Sequence, residues 1–122
     1  MATGKPIGEY SMKSTSWRLS LGPAGNTVIE GNFEGTATGF GAVLGTATFL
    51  VAKSGAFTYC GAAYPDNGDI NTAAGTGTYE SVGKHRWRTT GILQLADGRA
   101  LVSEGEVDLA TRSWNGKLFE KI

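Results

Sequence analysis

The sequence predicts one all-β domain over residues 1–122, an eight-stranded antiparallel up-and-down barrel. The 19 glycines are spread among Thr, Val, Phe and Tyr, a distribution that suits bent strands and tight turns. Turn sequences divide the chain into eight short segments without helical periodicity, which indicates a sandwich or a barrel. Because an eight-stranded meander has two free edges, closure into a barrel is the arrangement that removes both.

The predicted strands are the segments between these turns. All connections are short, so strands adjacent in sequence should be antiparallel neighbours in space. The segments are 7–21, 26–38, 41–53, 55–64, 69–81, 84–95, 99–110 and 112–121. We expect residues 1–6, which precede the first strand, to be flexible. An eight-stranded barrel leaves room for one small ligand.

The sixth and seventh strands predict their own register. A two-residue Asp97-Gly98 turn would put their apolar faces on opposite sides, whereas a three-residue loop 96–98, with Gly98 in the left-handed conformation, aligns them. This loop places Leu93 beside Leu101, and Trp87 beside Val107, inside the barrel. On the outer face it pairs Arg88 with Glu106, and Arg86 with Asp108.

Composition argues against several functional classes. Eleven basic and eleven acidic residues balance, whereas a nucleic-acid-binding protein normally carries a basic excess. The single cysteine, Cys60, and the single histidine, His85, predict neither a disulfide nor a cysteine- or histidine-rich metal site. No apolar run approaches the length of a membrane span, and residues 1–6 lack the apolar core of a secretory leader. We therefore expect a cytoplasmic protein with neither a nucleic-acid nor a membrane partner.

The apolar faces of the strands predict an interior rich in aromatic side chains with polar tips, which suits a small apolar ligand held by a few hydrogen bonds. The expected ligand-binding residues are Trp17, Phe33, Phe49, Phe57, Tyr79, Thr89 and Trp114. Glu30 and Glu34 alternate with Ile29 and Phe33, which places them outside. A register slip of one residue would turn both carboxylates inward as candidate bases.

The most distinctive segment runs from Gly75 to Gly91. Its Gly75-Thr76-Gly77-Thr78-Tyr79 stretch, followed by a glycine turn, resembles the allene oxide cyclase barrels. His85-Arg86-Trp87-Arg88-Thr89-Thr90-Gly91 resembles the aromatic-Arg-x-Thr-Gly stretch of the related spirotetronate-forming Diels–Alderases, and Ala56-Phe57-Thr58-Tyr59 resembles their Leu-Thr-Tyr strand. The resemblance covers residues 26–91 and rests on these short motifs.

The resemblance implies an eight-stranded calycin-like barrel, commonly oligomeric, that binds a hydrophobic substrate. Such barrels promote ring closure without a cofactor by holding one reactive conformer. By this analogy Trp87 matches a pocket tryptophan, and Tyr59 matches the aromatic residue of the Leu-Thr-Tyr strand. The tyrosine that follows that stretch in the Diels–Alderases is replaced here by Cys60.

The leading functional hypothesis is a cyclase or isomerase that needs neither metal nor organic cofactor and works by orienting its substrate. Its candidate catalytic residues are Trp87, Tyr59 and His85; the histidine is a possible general acid or base at a barrel mouth. Two alternatives stay open: a non-catalytic carrier of a small hydrophobic compound, and a barrel filled by its own side chains whose surface binds protein. Apolar outer residues such as Leu50, Ile92 and Val102 also predict a homodimer or another homo-oligomer.

Overall fold

A computed structural model describes residues 3–122 and confirms the predicted fold. It contains no helix, and all eight strands join one closed antiparallel barrel in sequence order, with β1 pairing with both β2 and β8. The strands are β1 (Thr3–Leu21), β2 (Thr27–Ala37), β3 (Gly41–Leu50), β4 (Ser54–Tyr64), β5 (Asn71–Gly83), β6 (Arg86–Leu95), β7 (Ala100–Asp108) and β8 (Ser113–Lys121).

The two ends of the barrel are defined by alternate connections. We call upper the end that carries residues 38–40, 65–70 and 96–99, and lower the end that carries residues 22–26, 51–53, 84–85 and 109–112. Residues 3–6, which were expected to be flexible, belong to β1 at the upper end, where Thr3 pairs with Lys121. The same expectation covered residues 1 and 2, which lie outside the described residues.

Strand β1 changes its inward-facing parity part of the way along. Its pairing with β2 shifts register between Ser14 and Ser16, so that Thr15 is an extra residue in the strand. Above this bulge Tyr10 and Met12 point inward, and below it Trp17 does. The bulge therefore lets even- and odd-numbered side chains of one strand fill the same interior.

The β6–β7 hairpin has the predicted loop and register. Leu95 and Arg99 close the three-residue loop with a backbone hydrogen bond of 2.9 Å, and Gly98 has a φ of 98°. The four expected cross-strand neighbours are paired. The ion pairs differ: Arg86 contacts Glu106, its diagonal neighbour on β7, at 3.2 Å, and Arg88 contacts its direct partner on β5, Glu80, at 3.0 Å.

The outer face holds the two carboxylates whose orientation was open. Glu30 and Glu34 alternate with the buried Gly31 and Phe33, so both lie outside. The expectation of exposed apolar area at Val102 was wrong: the side chain lies on the outer face between Ile92 and Phe119 and is 0% exposed. Leu50 is 38% exposed, as expected.

Candidate functional site

The interior contains a cavity of about 90 Å³ at the upper end of the barrel. Small residues create this space: Gly61 and Ala63 near the end of β4 lie beside Ala73 and Gly75 near the start of β5. Larger apolar side chains complete the wall, namely Met12, Val43, Phe57, Leu93, Leu95, Leu101 and Leu118. Among the lining residues within 3–122, none carries a carboxylate, an imidazole or a cationic group.

Phe40 closes the upper mouth of the cavity. It is buried in the β2–β3 connection, between Gly39 and Gly41, whose φ values of 79° and 73° allow the tight turn that folds the ring inward. The Arg99 guanidinium lies 5.2 Å from the centre of this ring, within the range of a cation–π interaction.

Asp97 holds Arg99 over the mouth. Its Oδ2 accepts hydrogen bonds from Arg99 Nη2 at 2.8 Å and Nε at 3.0 Å, and a third from Asn71 Nδ2 at 3.0 Å. The hydrogen bonds from Arg99 lower the pKa of Asp97 to about 2. The guanidinium is therefore fixed by a carboxylate that keeps its negative charge throughout the neutral range.

The Tyr59 hydroxyl is a polar group of the wall without an internal partner. No hydrogen bond joins it to another of the residues 3–122, and its ring packs edge-on against Trp114 with 5.8 Å between centroids. Burial raises the pKa of Tyr59 to about 12, with smaller contributions from Tyr10 and Cys60. The phenol is therefore neutral at physiological pH and can donate a hydrogen bond into the cavity.

Other interior polar groups are paired with one another. Ser103 Oγ donates to Tyr10 Oη at 3.0 Å, and Trp114 Nε1 donates to Thr89 Oγ1 at 3.0 Å. Thr89 is 0% exposed, so its hydroxyl is committed to the indole rather than to a ligand. Burial raises the pKa of Tyr10 against the opposing effect of its hydrogen bonds.

Below the cavity the barrel is filled by aromatic rings. Trp114 forms the cavity floor and packs on Phe33, Phe49 and Phe57, with centroid separations of 5.2, 6.0 and 5.7 Å. Trp17 packs edge-on against Phe33 at 5.6 Å, which extends the cluster toward the lower end. The lower half is therefore packed core, as the filled-barrel alternative expects, whereas the upper half is not filled.

The structure divides the sequence-predicted site residues into two groups. Phe57, Tyr59 and Trp114 line the cavity. The remaining residues lie away from it, in the packed interior or at the lower end: Trp17, Phe33, Phe49, Tyr79, Thr89, Trp87 and His85. The Tyr79 hydroxyl donates to the backbone carbonyl of Leu50 at 2.6 Å. A ligand would therefore have to replace this hydrogen bond in order to bond with the Tyr79 hydroxyl.

Trp87 and His85 lie near the lower end, away from the cavity. Trp87 is half-buried and packs against the core from β6. His85 is exposed in the two-residue β5–β6 turn, with a φ of 54°, so it precedes the strand that was expected to include it. A catalytic partnership of both residues with Tyr59 remains a prediction.

Tyr10, Met12 and Phe40 are among the cavity residues that were missed as site residues. Tyr10 and Met12 were hidden by the β1 bulge, because strict alternation from Trp17 places them outside. Phe40 was assigned to a turn, although a large aromatic between two glycines was the available signal of a ring folded back into the barrel.

Fold and site together define a closed eight-stranded barrel with a small apolar cavity above a packed aromatic interior. No protein-family profile, curated protein or solved structure matches the chain. Over residues 3–122 there is no group of three or more His, Cys, Asp or Glu side chains placed to hold a metal ion. The described chain also has no helix of the length and hydrophobicity needed to cross a membrane.

Proposed function

We propose that the barrel binds a small, predominantly apolar molecule in its upper cavity. The observation that carries this proposal is a mainly apolar space inside the barrel whose wall contains an unpaired hydroxyl, that of Tyr59. A folded interior is normally close-packed and its polar groups are paired. A void and an unpaired donor at the same place are what a binding site requires.

The size of the cavity limits what it holds in its present form. Its volume of about 90 Å³ is below the roughly 150 Å³ of an engineered cavity that binds benzene, and below the ~300 Å³ at which typical ligand pockets begin. A larger molecule requires Phe40 to swing out between its two flanking glycines. A ligand smaller than benzene therefore fits the cavity as it stands, whereas one as large as benzene or cyclopentane displaces Phe40 and leaves part of itself in the mouth.

The binding test uses cyclopentane as the probe and methyl NMR as the readout. We expect cyclopentane to shift the methyl signals of Met12, Leu95 and Leu118, which line the cavity. Ala63→Leu fills the cavity and should abolish these shifts, whereas Ala56→Leu, at an exposed position of the same strand, should leave them unchanged. Absence of shifts in the wild type, or their persistence in Ala63→Leu, contradicts the proposal.

A cofactor-free cyclase or isomerase is the more specific function that we propose for this binding site. The support is the resemblance to allene oxide cyclase-like barrels, together with a wall whose titratable groups are the phenols Tyr10 and Tyr59. Such a wall suits a reaction that proceeds by hydrogen-bond donation and by orientation, and good orientation alone lowers a barrier by about 7–11 kcal/mol. Phe40 would have to open for a flexible polyene to enter.

Product analysis distinguishes this enzyme from a carrier. Candidate polyenes and unsaturated ketones are incubated with the protein, and the products are analysed by mass spectrometry and chiral chromatography. An enzyme yields one enantiomer of a ring-closed isomer, and Phe57→Ala, which reshapes the wall, lowers that enantiomeric excess. Recovery of unchanged ligand from every incubation favours the carrier.

A further inference from the structure

The Tyr59 hydroxyl differs from the other interior phenols in its hydrogen bonding. Tyr10 bonds with Ser103 at 3.0 Å, and Tyr79 donates to the Leu50 carbonyl at 2.6 Å. Tyr59 has no such bond within the described chain, yet it lines the cavity. Its oxygen keeps accessible surface, since no fully buried side-chain N or O atom of the described residues lacks a partner, so a molecule in the cavity can complete its hydrogen bond.

The phenol is held in position by the strands around it. A methyl carbon at Gly45 would lie 2.1 Å from the Tyr59 hydroxyl, and one at Gly61 would lie 2.5 Å from it. The ring therefore lies flat over two glycines on neighbouring strands and makes an edge-to-face contact with Trp114, with 5.8 Å between centroids. Gly61 follows Tyr59 toward the upper end, so the hydroxyl is directed toward the cavity and its mouth.

We infer that the ligand of this cavity is a compact, neutral molecule with a single carbonyl or ether oxygen, which accepts a hydrogen bond from Tyr59. The inference rests on the proposed binding function and names the ligand class for the same site. A carboxylate or an ammonium group would be desolvated against an apolar wall with no opposite charge, which is strongly unfavourable. A pure hydrocarbon would leave the Tyr59 hydroxyl unpaired.

Water is the competing occupant of the position beside Tyr59. A buried water is stable when it makes about two to four hydrogen bonds. The Tyr10 and Ser103 hydroxyls also line the cavity but bond to each other, so a water beside Tyr59 makes fewer bonds, and a ligand oxygen that takes the same bond displaces it with little loss. The ligand oxygen then keeps the hydrogen bond while its carbon skeleton contacts the apolar wall.

The test compares 2-butanone with 2-methyl-1-butene, which have the same shape but exchange a carbonyl oxygen for a methylene group. Dissociation constants are measured by methyl NMR for the wild type and for Tyr59→Phe. The carbonyl stretching frequency of bound 2-butanone reports the hydrogen bond directly. Tyr79→Phe is the matched control, because that hydroxyl bonds to the backbone and does not line the cavity.

We expect Tyr59→Phe to weaken the binding of 2-butanone relative to 2-methyl-1-butene by about two- to tenfold, the amount one neutral hydrogen bond supplies, and Tyr79→Phe to leave this ratio unchanged. The carbonyl stretch of bound 2-butanone should return to a higher frequency in Tyr59→Phe. An unchanged ratio of the two dissociation constants in Tyr59→Phe overturns this inference and leaves the binding function standing. Failure of both molecules, and of cyclopentane, to bind overturns the binding function and the inference with it.

Discussion

Gly45→Ala tests how a glycine and a phenol together build the cavity wall. An ideal methyl carbon at this position lies 2.1 Å from Oη, 2.4 Å from Cζ and 2.5 Å from Cε1 of Tyr59. Comfortable carbon contacts are about 3.5–4.0 Å, so the ring must move by more than an ångström. The nearest atoms all belong to this one side chain, and the adjacent free volume is the cavity itself. The substitution should therefore push Tyr59 into the cavity.

The expected cost follows from this displacement. Forcing an extra methyl group into a packed interior costs about 1–3 kcal/mol in the free energy of unfolding. In a Tyr59→Ala background the ring is absent, and the same change should stabilise the protein by about 0.5–1 kcal/mol, because alanine loses less backbone entropy than glycine in a strand. The coupling between the two substitutions is then about 1.5–4 kcal/mol.

Urea unfolding of the wild type, both single variants and the double variant measures this coupling. Tryptophan fluorescence follows the transition, since Trp114 packs against Tyr59. Binding of 2-butanone is the second readout, and Gly45→Ala should abolish it because the displaced ring occupies the cavity. Equal destabilisation by Gly45→Ala in both backgrounds would show that the strand backbone, rather than the phenol, requires the glycine, and the reasoning would be refuted.

Three further predictions concern pH and assembly. Burial raises the pKa of Tyr59 from 10.0 to about 12, so its neutral form contributes roughly 2–3 kcal/mol to stability below pH 10, and this is lost as the pH rises through about 12. Ultraviolet titration of Tyr59→Phe should show one phenolate fewer at high pH than the wild type, with Tyr10 still titrating late. Arg99 lowers the pKa of Asp97 from 3.8 to about 2, so the contribution of this carboxylate is present above pH 3.8 and is lost as the pH falls through about 2. Asp97→Asn should remove this acid transition. It should also accelerate ligand exchange, measured from NMR line shapes, because Arg99 is no longer held over Phe40. An unchanged exchange rate would show that Arg99 does not restrict the opening of Phe40. Residues 15–21 of β1 extend past the pairing with β8, and Leu19 and Leu21 are 60% and 80% exposed there. We therefore expect sedimentation to show a dimer that Leu21→Arg dissociates. A wild-type monomer at high concentration contradicts this expectation.

The parts of the fold that were predictable are those where two signals agree. In the β6–β7 hairpin, strict alternation fixes which side chains share a face, and Gly98 marks the one loop length that aligns those faces. Charge pairing was less predictable, because Arg88 can reach either neighbouring strand and contacts Glu80 rather than Glu106. Register depends on the backbone, whereas the choice of ion-pair partner depends on flexible side chains on an exposed face.

Strand β1 shows why alternation alone gave an incomplete interior. Alternation assumes an unbroken strand, and one extra residue, Thr15, reverses the parity of everything above it. Tyr10 and Met12 therefore had no periodic signal linking them to Trp17. A bulge of this kind has no fixed sequence signature, so the register became certain only from the pairing with β2 and β8.

The position of the cavity was less accessible than the fold, because alternation shows which face a residue occupies but not at which height. Aromatic residues were assigned to the site by type, yet an aromatic ring fills an interior as readily as it lines a cavity. The change in side-chain size along the paired strands contains the information about height that alternation lacks. Inward positions of β4 change from large to small, those of β5 from small to large, and the two strands are antiparallel: Phe57, Tyr59, Gly61 and Ala63 run against Ala73, Gly75, Gly77 and Tyr79. Once the register is known, Gly61 pairs with Ala73 at the upper end, with Ala63 above this pair and Gly75 below it, and it is these glycines and alanines, rather than the aromatics, that place the cavity.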